Sequence, residues 1–425
     1  MDPIIRREDD RIFCLWMEQG LGIGFESLRE KPDGLHGEVS VQTIDATMVK
    51  SGHVHWARLN LSSTSARLAL ARFLATRVKQ GKVDWHSLIE YACTATAQAF
   101  REGKPAIALS TVPPVLDRPY ALFPLLPLGQ TCVLYGDGGS GKSYIALSLA
   151  LSLATLHGLP SGLRPQIQGC TLYLDYETDS QEQSRRRTLL STGLGLPEPP
   201  EVHYQRMERP LADDLQRIKS DVRRLRPVLL IVDSIAPACG GEPESAEVIL
   251  RFFNTIRELA PDSTRLILSH ISKGDLDKRR ARPFGSAFTR NMARSCWEVR
   301  REDQEESDAL TLGLFHDKSN EDRLHSPRGL TFSFEFPDRV TIKGSDVTDS
   351  PELAASTRLS SRLRVALRSG ARTLKELAEE LDAKPDTLRR TLYRMNDVSQ
   401  LNKKEGKGGG SVWGLVSDRD PGGEG

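Results

Sequence analysis

The chain has 425 residues, which is too long for one ordinary domain, so we expect two or three domains. Its 38% hydrophobic and 27% charged residues indicate a globular protein, and a formal net charge of +1 excludes a polycation. The six scattered cysteines lack C-x-x-C spacing, the N-terminus is too charged for a signal peptide, and no apolar run reaches membrane-spanning length. These features predict a cytoplasmic protein without membrane association.

The first region, residues 1–105, is predicted to be a small α+β module whose role the sequence does not indicate. In residues 37–44 and 53–61, apolar and polar side chains alternate as in half-exposed strands. In residues 62–78 and 85–100, the apolar residues have helical spacing. A proline-rich stretch over 106–124 is typical of a linker.

The central region, residues 125–345, alternates apolar runs with helical patterns. The apolar runs are continuous, which predicts an α/β domain with a mainly parallel sheet and helices on both faces. Two further runs around Pro337 and Asp338 are predicted to form a closing hairpin.

The first apolar run leads into a glycine-rich loop that matches G-x-x-x-x-G-K-S. A strand before the loop and a helix after it are the context in which this motif cradles phosphates with backbone N–H groups. Lys142 would contact the β- and γ-phosphates, and the Ser143 hydroxyl would hold Mg²⁺. The predicted ATP-binding residues are Gly136, Asp137, Gly138, Gly139, Ser140, Gly141, Lys142, Ser143 and Tyr144.

Polar residues end the next strands, and ligands of open α/β sheets bind at those ends. Asp233 ends an apolar run and is predicted to hold Mg²⁺ with Ser143. Glu177 is predicted to orient or deprotonate the attacking water, with Asp175 on the same strand as the alternative. His270 could contact the γ-phosphate, or it could simply cap its strand.

The last predicted strand of this series is followed by two cations, Lys318 and Arg323. Either could reach a nucleotide held by a neighbouring subunit, as an arginine finger does, and a solvated surface run is the alternative.

A polar linker over 346–358 precedes a compact unit at 359–417, and the tail 418–425 is predicted to be disordered. Three helical patterns, one begun by a capping box of Thr373 and Glu376, and a basic hairpin resemble a winged helix. Its expected DNA contacts, with protein contacts as the alternative, are Arg389, Arg390, Arg394, Lys403 and Lys404.

The ordered set of motifs over about 122–345 resembles the RecA-like ATPases, specifically the plasmid RepA-type hexameric replicative helicases. The resemblance implies that Glu177 is the catalytic glutamate, that His270 senses the γ-phosphate, and that Lys318 lies near the position acting in trans. It also implies a homo-oligomeric ring, expected to be a hexamer, that uses ATP and Mg²⁺. Arg323 comes five residues after Lys318, so which cation acts in trans stays open.

The same resemblance gives a role to the basic segment after His270, because loops at this point line the DNA channel of such rings. The predicted single-stranded DNA contacts are Lys273, Lys278, Arg279, Arg280 and Arg282. The expected function is a DNA-dependent ATPase, a helicase or related motor of a mobile element, with duplex DNA binding through the winged helix. The alternatives are a regulatory or assembly ATPase and a recombinase-like filament former.

Overall fold

The structure is a computed structural model of the chain. It describes residues 3–8, 11–43, 52–78, 83–103, 106–114, 119–271, 282–285, 287–302, 308–320, 323–350, 353–354, 357, 359–401 and 412–416. The chain divides into two compact units, residues 1–114 and 115–425. In the ranges described, no helix is both long and apolar enough to span a membrane.

The described part of unit 1 forms an antiparallel sheet in the order β1-β2-β3-β4-β5, with two helices that share its apolar core. The strands are β1 (Ile4–Glu8), β2 (Arg11–Trp16), β3 (Leu21–Lys31), β4 (Gly34–Thr43) and β5 (His53–Asn60). The helices are α1 (Thr64–Arg77) and α2 (Trp85–Glu102). The first three strands are additional to those predicted from alternation.

Unit 2 contains a large sheet with the order β11-β10-β12-β13-β8-β14-β15-β16-β17 among the described residues. Its strands are parallel from β11 to β14, and β15 to β17 are antiparallel additions. The strands up to residue 345 are β6 (Tyr120–Phe123), β7 (Leu126–Pro127), β8 (Thr131–Gly136), β9 (Arg164–Pro165), β10 (Thr171–Asp175), β11 (His203–Arg206), β12 (Leu229–Asp233), β13 (Thr264–His270), β14 (Ser295–Arg301), β15 (Ala309–Ser319), β16 (Arg328–Glu335) and β17 (Arg339–Ser345). The predicted mainly parallel α/β sheet and its closing hairpin are confirmed.

Helices cover both faces of this sheet because its strands are apolar on both sides. Leu134 of β8 packs with α3 and α4 in one core, whereas Val133 and Tyr135 pack with α5, α6 and α7 in the other. The helices of this region are α3 (Lys142–Thr155), α4 (Ser180–Gly193), α5 (Leu215–Leu225), α6 (Ile235–Ala238), α7 (Ala246–Leu259) and α8 (Ala287–Met292).

Both predicted linkers contain packed residues. The one at 106–124 includes β6, which pairs with β7 and β9 in a small separate sheet. In the one at 346–358, Val347 and Leu353 are buried with Phe315.

The C-terminal part of unit 2 combines three helices with a small antiparallel sheet of order β18-β20-β19 in its described residues. The elements are α9 (Leu359–Arg368), β18 (Arg372–Thr373), α10 (Leu374–Glu380), α11 (Pro385–Tyr393), β19 (Val398–Leu401) and β20 (Val412–Leu415). The predicted capping box is confirmed: Thr373 and Glu376 bond reciprocally at the start of α10. Leu363, Leu388 and Trp413 join the elements in one core.

Candidate functional site

The glycine-rich loop joins the carboxyl end of β8 to the first residue of α3, as the motif predicts. Gly139 and Gly141 have φ values of +70° and +82°, which side-chain-bearing residues rarely adopt. A Cβ atom on Gly141 would also lie 2.8 Å from Leu310 Cδ2. The loop therefore needs glycine for its conformation, and the backbone wraps toward the N-terminus of α3, where an anion is favoured.

Lys142, the first residue of α3, folds back over the loop. Its Nζ donates to the carbonyls of Gly136 at 3.0 Å and Asp137 at 2.7 Å. Burial lowers the pKa of Lys142, and the nearby carboxylates of Asp233, Glu177 and Asp137 oppose that shift. A phosphate group in the loop would supply the counter-charge that this buried ammonium needs.

Ser143 and Asp233 lie together, as the predicted magnesium pair requires. The Ser143 hydroxyl donates to Asp233 Oδ2 at 2.8 Å, and the Tyr173 hydroxyl donates to the same oxygen at 2.7 Å. Burial raises the pKa of Asp233 to about 6, although both hydrogen bonds oppose this. A hydroxyl and a buried carboxylate at the phosphate loop form the oxygen donor set that Mg²⁺ prefers, so these residues fit the ion.

Glu177 lies at the same end of the sheet, two residues after the end of β10. Ser234 Oγ donates to Glu177 Oε1 at 2.7 Å, and His270 Nε2 lies 3.5 Å from that oxygen. The His270 ring and then the Ser234 hydroxyl lower the pKa of Glu177 to about 2, against the opposing effect of partial burial. A carboxylate this acidic is ionised at neutral pH and accepts hydrogen bonds, so it suits orienting a water better than removing its proton.

Asp175, the alternative to Glu177, is fully buried and its oxygens are occupied. Oδ1 accepts the backbone N–H groups of Glu177 at 2.8 Å and Thr178 at 2.9 Å, and Oδ2 accepts from Gln183 Nε2 at 2.8 Å. Asp175 thus shapes the turn that carries Glu177, which leaves Glu177 as our candidate for the water-orienting group.

These residues open onto one cleft of about 440 Å³. Part of its lining comes from residues that the motifs did not indicate. They lie on α4, β15 and β16 and at the end of β14 or just after it: Arg186, Arg301, Glu302, Ala309, Leu310 and Phe334. The Tyr144 ring meets Phe334 edge to face at 5.3 Å, and the Arg186 guanidinium lies 5.1 Å from the Tyr144 ring centre. An aromatic wall beside a phosphate loop suits a nucleobase.

A family model described as an AAA domain matches residues 106–275, the range that holds the phosphate loop, Glu177, Asp233 and His270. The central domain is a P-loop ATPase domain. Among solved structures, a KaiC-like protein from the hyperthermophilic archaeon Pyrococcus horikoshii OT3 is similar. It is 17% identical, the match covers 53% of this chain and 98% of that chain, and the TM-score is 0.37. Comparison with curated proteins gives no match.

Replacing Tyr144 with alanine is expected to raise the KM of the ATPase domain for ATP about tenfold with little change in kcat. An aromatic contact contributes about 1 kcal/mol or more to binding, and the ring packs against Phe334 and Arg186 rather than holding the attacking water. Steady-state ATPase assays measure both constants. Tyr144→Phe keeps the ring and should behave like the unmodified chain; an unchanged KM in Tyr144→Ala would show that the base binds elsewhere.

Lys318, a predicted trans-acting cation, is engaged within its own ATPase domain. Its Nζ donates to the carbonyls of Arg290, Asn291 and Ala293 at 2.7, 2.9 and 2.7 Å, and so caps the C-terminal end of α8. Reaching a neighbouring subunit would require these bonds to break.

Arg323, the other predicted trans-acting cation, is exposed in the segment after β15. Two residues later this segment is anchored: the His325 N–H donates to His316 Nδ1 at 3.0 Å, and the two imidazole rings stack at 5.4 Å. The His316 ring in turn stacks on Trp297 at 4.3 Å. The stack holds the chain beside Arg323 against the sheet.

The basic segment that follows His270 begins and ends at the carboxyl end of β13. Ile271 forms a β-bridge with Pro283, and the Phe284 N–H donates to the His270 carbonyl at 2.6 Å. Arg282 is exposed. The other predicted DNA contacts of this segment lie outside the described residues: Lys273, Lys278, Arg279 and Arg280.

The predicted DNA contacts of the C-terminal part lie on and just after α11. Arg389, Arg390 and Arg394 are all exposed, and Tyr393, which the sequence analysis did not select, is 66% exposed beside them. Arg389 has Asp386 at 3.8 Å. Lys403 and Lys404 lie outside the described residues.

Proposed function

We propose that the chain is an ATP-hydrolysing, DNA-binding motor, a RepA-like replicative helicase of a mobile element acting on single-stranded DNA. The observation that carries this proposal is the basic segment whose two ends, Ile271 and Pro283, are joined beside His270. This segment carries several cations and follows His270, the residue proposed to sense the γ-phosphate. Such an arrangement suits a motor in which the nucleotide state changes the contact between the segment and the DNA backbone, whatever the DNA sequence.

In the proposed hydrolysis, the glycine-rich loop before α3 binds the phosphates. The Lys142 ammonium then turns from the loop carbonyls to oxygens of the β- and γ-phosphates. Glu177 holds the attacking water through its ionised carboxylate, with Ser234 and His270 fixing its position. Mg²⁺, when bound at Ser143 and Asp233, would neutralise phosphate charge. The aromatic wall at Tyr144 binds the base.

We further propose that the chain works as a homo-oligomeric ring, expected to be a hexamer. In this ring a cation of the next subunit completes each nucleotide-binding site. Arg323 is our choice for that cation because it is exposed in the segment after β15, whereas the Lys318 ammonium is bonded to three carbonyls at the end of α8. The C-terminal part is proposed to be a winged helix that binds duplex DNA through the exposed arginines of α11.

Replacing Lys278, Arg279 and Arg280 with glutamine should reduce single-stranded DNA affinity, and with it the DNA stimulation of ATPase activity, about tenfold or more, because each lost phosphate contact removes counterion release. ATPase rates and mass photometry with and without single-stranded DNA measure this. The basal rate should persist. A matched control replaces Arg223, Arg224 and Arg251, which lie on α5 and α7, with glutamine.

Undiminished stimulation in the loop variant would remove the proposed role of this segment. A chain that remains monomeric and hydrolyses ATP at the same rate with and without DNA would contradict the motor, and would favour an ATPase that regulates assembly. Filaments rather than closed rings in mass photometry would favour a recombinase-like filament former.

A further inference from the structure

The Tyr173 hydroxyl lies at the proposed magnesium pair, Ser143 and Asp233. Tyr173 belongs to β10, which pairs in parallel with β12, so that Tyr173 lies beside Ile231 and Asp175 beside Asp233. Its ring is 1% exposed and packs in the core that contains α3. The hydroxyl donates to Asp233 Oδ2 at 2.7 Å.

This hydroxyl is not required for packing. A phenylalanine would fill the same apolar core, and burying a hydroxyl is unfavourable unless it is hydrogen-bonded. A carboxylate only accepts, so the Tyr173 hydroxyl is the donor, and its bond fixes the rotation of the Asp233 carboxyl group.

Two donors converge on one oxygen of Asp233. Ser143 also donates to Oδ2, at 2.8 Å, whereas Oδ1 accepts no hydrogen bond from the described part of the chain. Ser143 must turn its lone pairs toward a metal ion in order to bind it, but Tyr173 lies in the core and has no such second task. The bond from Tyr173 can therefore persist when Ser143 changes partner.

We propose that Tyr173 is a positioning residue for the metal site: its hydroxyl holds Asp233 Oδ2 so that Oδ1 is presented to Mg²⁺ or to the water bound to Mg²⁺. The inference rests on the proposed function, since it assumes that Ser143 and Asp233 hold the ion. Hydrogen-bond partners of metal ligands act in this way at other sites, where removing them costs metal affinity.

The test measures binding of a fluorescent ATP analogue to the full chain as Mg²⁺ is increased from an EDTA-treated start. Tyr173→Phe is expected to raise the Mg²⁺ concentration for half-maximal binding about tenfold or more, while binding without Mg²⁺ stays the same. The matched control is Tyr135→Phe, which removes a hydroxyl from another fully buried tyrosine of the sheet, on β8. A Mg²⁺ requirement that is equal in Tyr173→Phe and the unmodified chain overturns the proposal.

A double-mutant cycle with Asp233→Asn separates positioning from a general loss of structure. If Tyr173 acts through Asp233, Tyr173→Phe adds no further change to the Mg²⁺ requirement of Asp233→Asn. Full additivity of the two effects overturns the proposal. Binding by the unmodified chain that is indifferent to Mg²⁺ contradicts the proposed metal site itself, and so is distinguishable from a failure confined to Tyr173.

Discussion

Replacing Glu177 with glutamine is expected to slow ATP hydrolysis about a thousandfold while leaving ATP affinity nearly unchanged, because misplacing the attacking water forfeits the positioning that supplies a large share of the rate. The amide keeps the size of the side chain and can still accept from Ser234, which bonds Glu177 Oε1 at 2.7 Å. It loses the ionised oxygen that would hold the attacking water. Single-turnover hydrolysis and equilibrium binding of a fluorescent ATP analogue measure the two effects separately.

The control for this substitution is Glu201→Gln, which removes an exposed carboxylate that lies 3.7 Å from His203 and does not line the cleft. Its hydrolysis rate should match that of the unmodified chain. An unchanged hydrolysis rate in Glu177→Gln would contradict the assignment and would mean that another polar group of the cleft orients the water.

Replacing Asp175 with alanine is expected to lower the free energy of unfolding by about 3 kcal/mol, because it strands buried donors that the carboxylate now accepts. Those donors are the N–H groups of Glu177 and Thr178 and the Gln183 amide. The Gln183 Oε1 atom already lacks a hydrogen-bond partner in the described residues, so this amide has no second anchor. Urea unfolding followed by circular dichroism measures the loss.

For comparison, Glu177→Gln should lower the free energy of unfolding by only about 1 kcal/mol or less, because the Glu177 side chain is partly exposed and solvent screens its contacts with His270 and Ser234. Together the two variants separate the structural carboxylate of Asp175 from the proposed catalytic carboxylate of Glu177, which lies in the turn that follows the same strand. Equal stabilities of the Asp175→Ala chain and the unmodified chain would show that water replaces the lost acceptor.

The parallel sheet could be predicted because continuous apolar runs are rare outside strands covered on both faces. In unit 1 the signal was weaker: β1 is exposed along its whole length and β3 carries Gly22 and Gly24, so neither shows clean alternation. β6 was hidden by the prolines around it, because Pro119 and Pro124 made the segment resemble a linker.

The phosphate loop and the strand-end carboxylates could be located from sequence because parallel strands end at one edge. The sequence favoured Glu177 for the water but kept Asp175 as an alternative, since the two are two residues apart on one strand pattern. The burial of Asp175 and its bonds to backbone N–H groups and Gln183 distinguish the two carboxylates. Phe334 and Tyr173 were missed for a different reason: contacts across strands far apart in sequence leave no local motif.

The bridge between Ile271 and Pro283 has a mechanical consequence for the segment it closes. With the Phe284 N–H held by the His270 carbonyl, both ends of the basic segment share one support. A displacement of β13 would therefore carry Ile271 and Pro283 in the same direction, because the bridge joins these two residues. In the proposed motor, a shift of β13 on loss of the γ-phosphate would reach Ile271 and Pro283 together rather than one before the other.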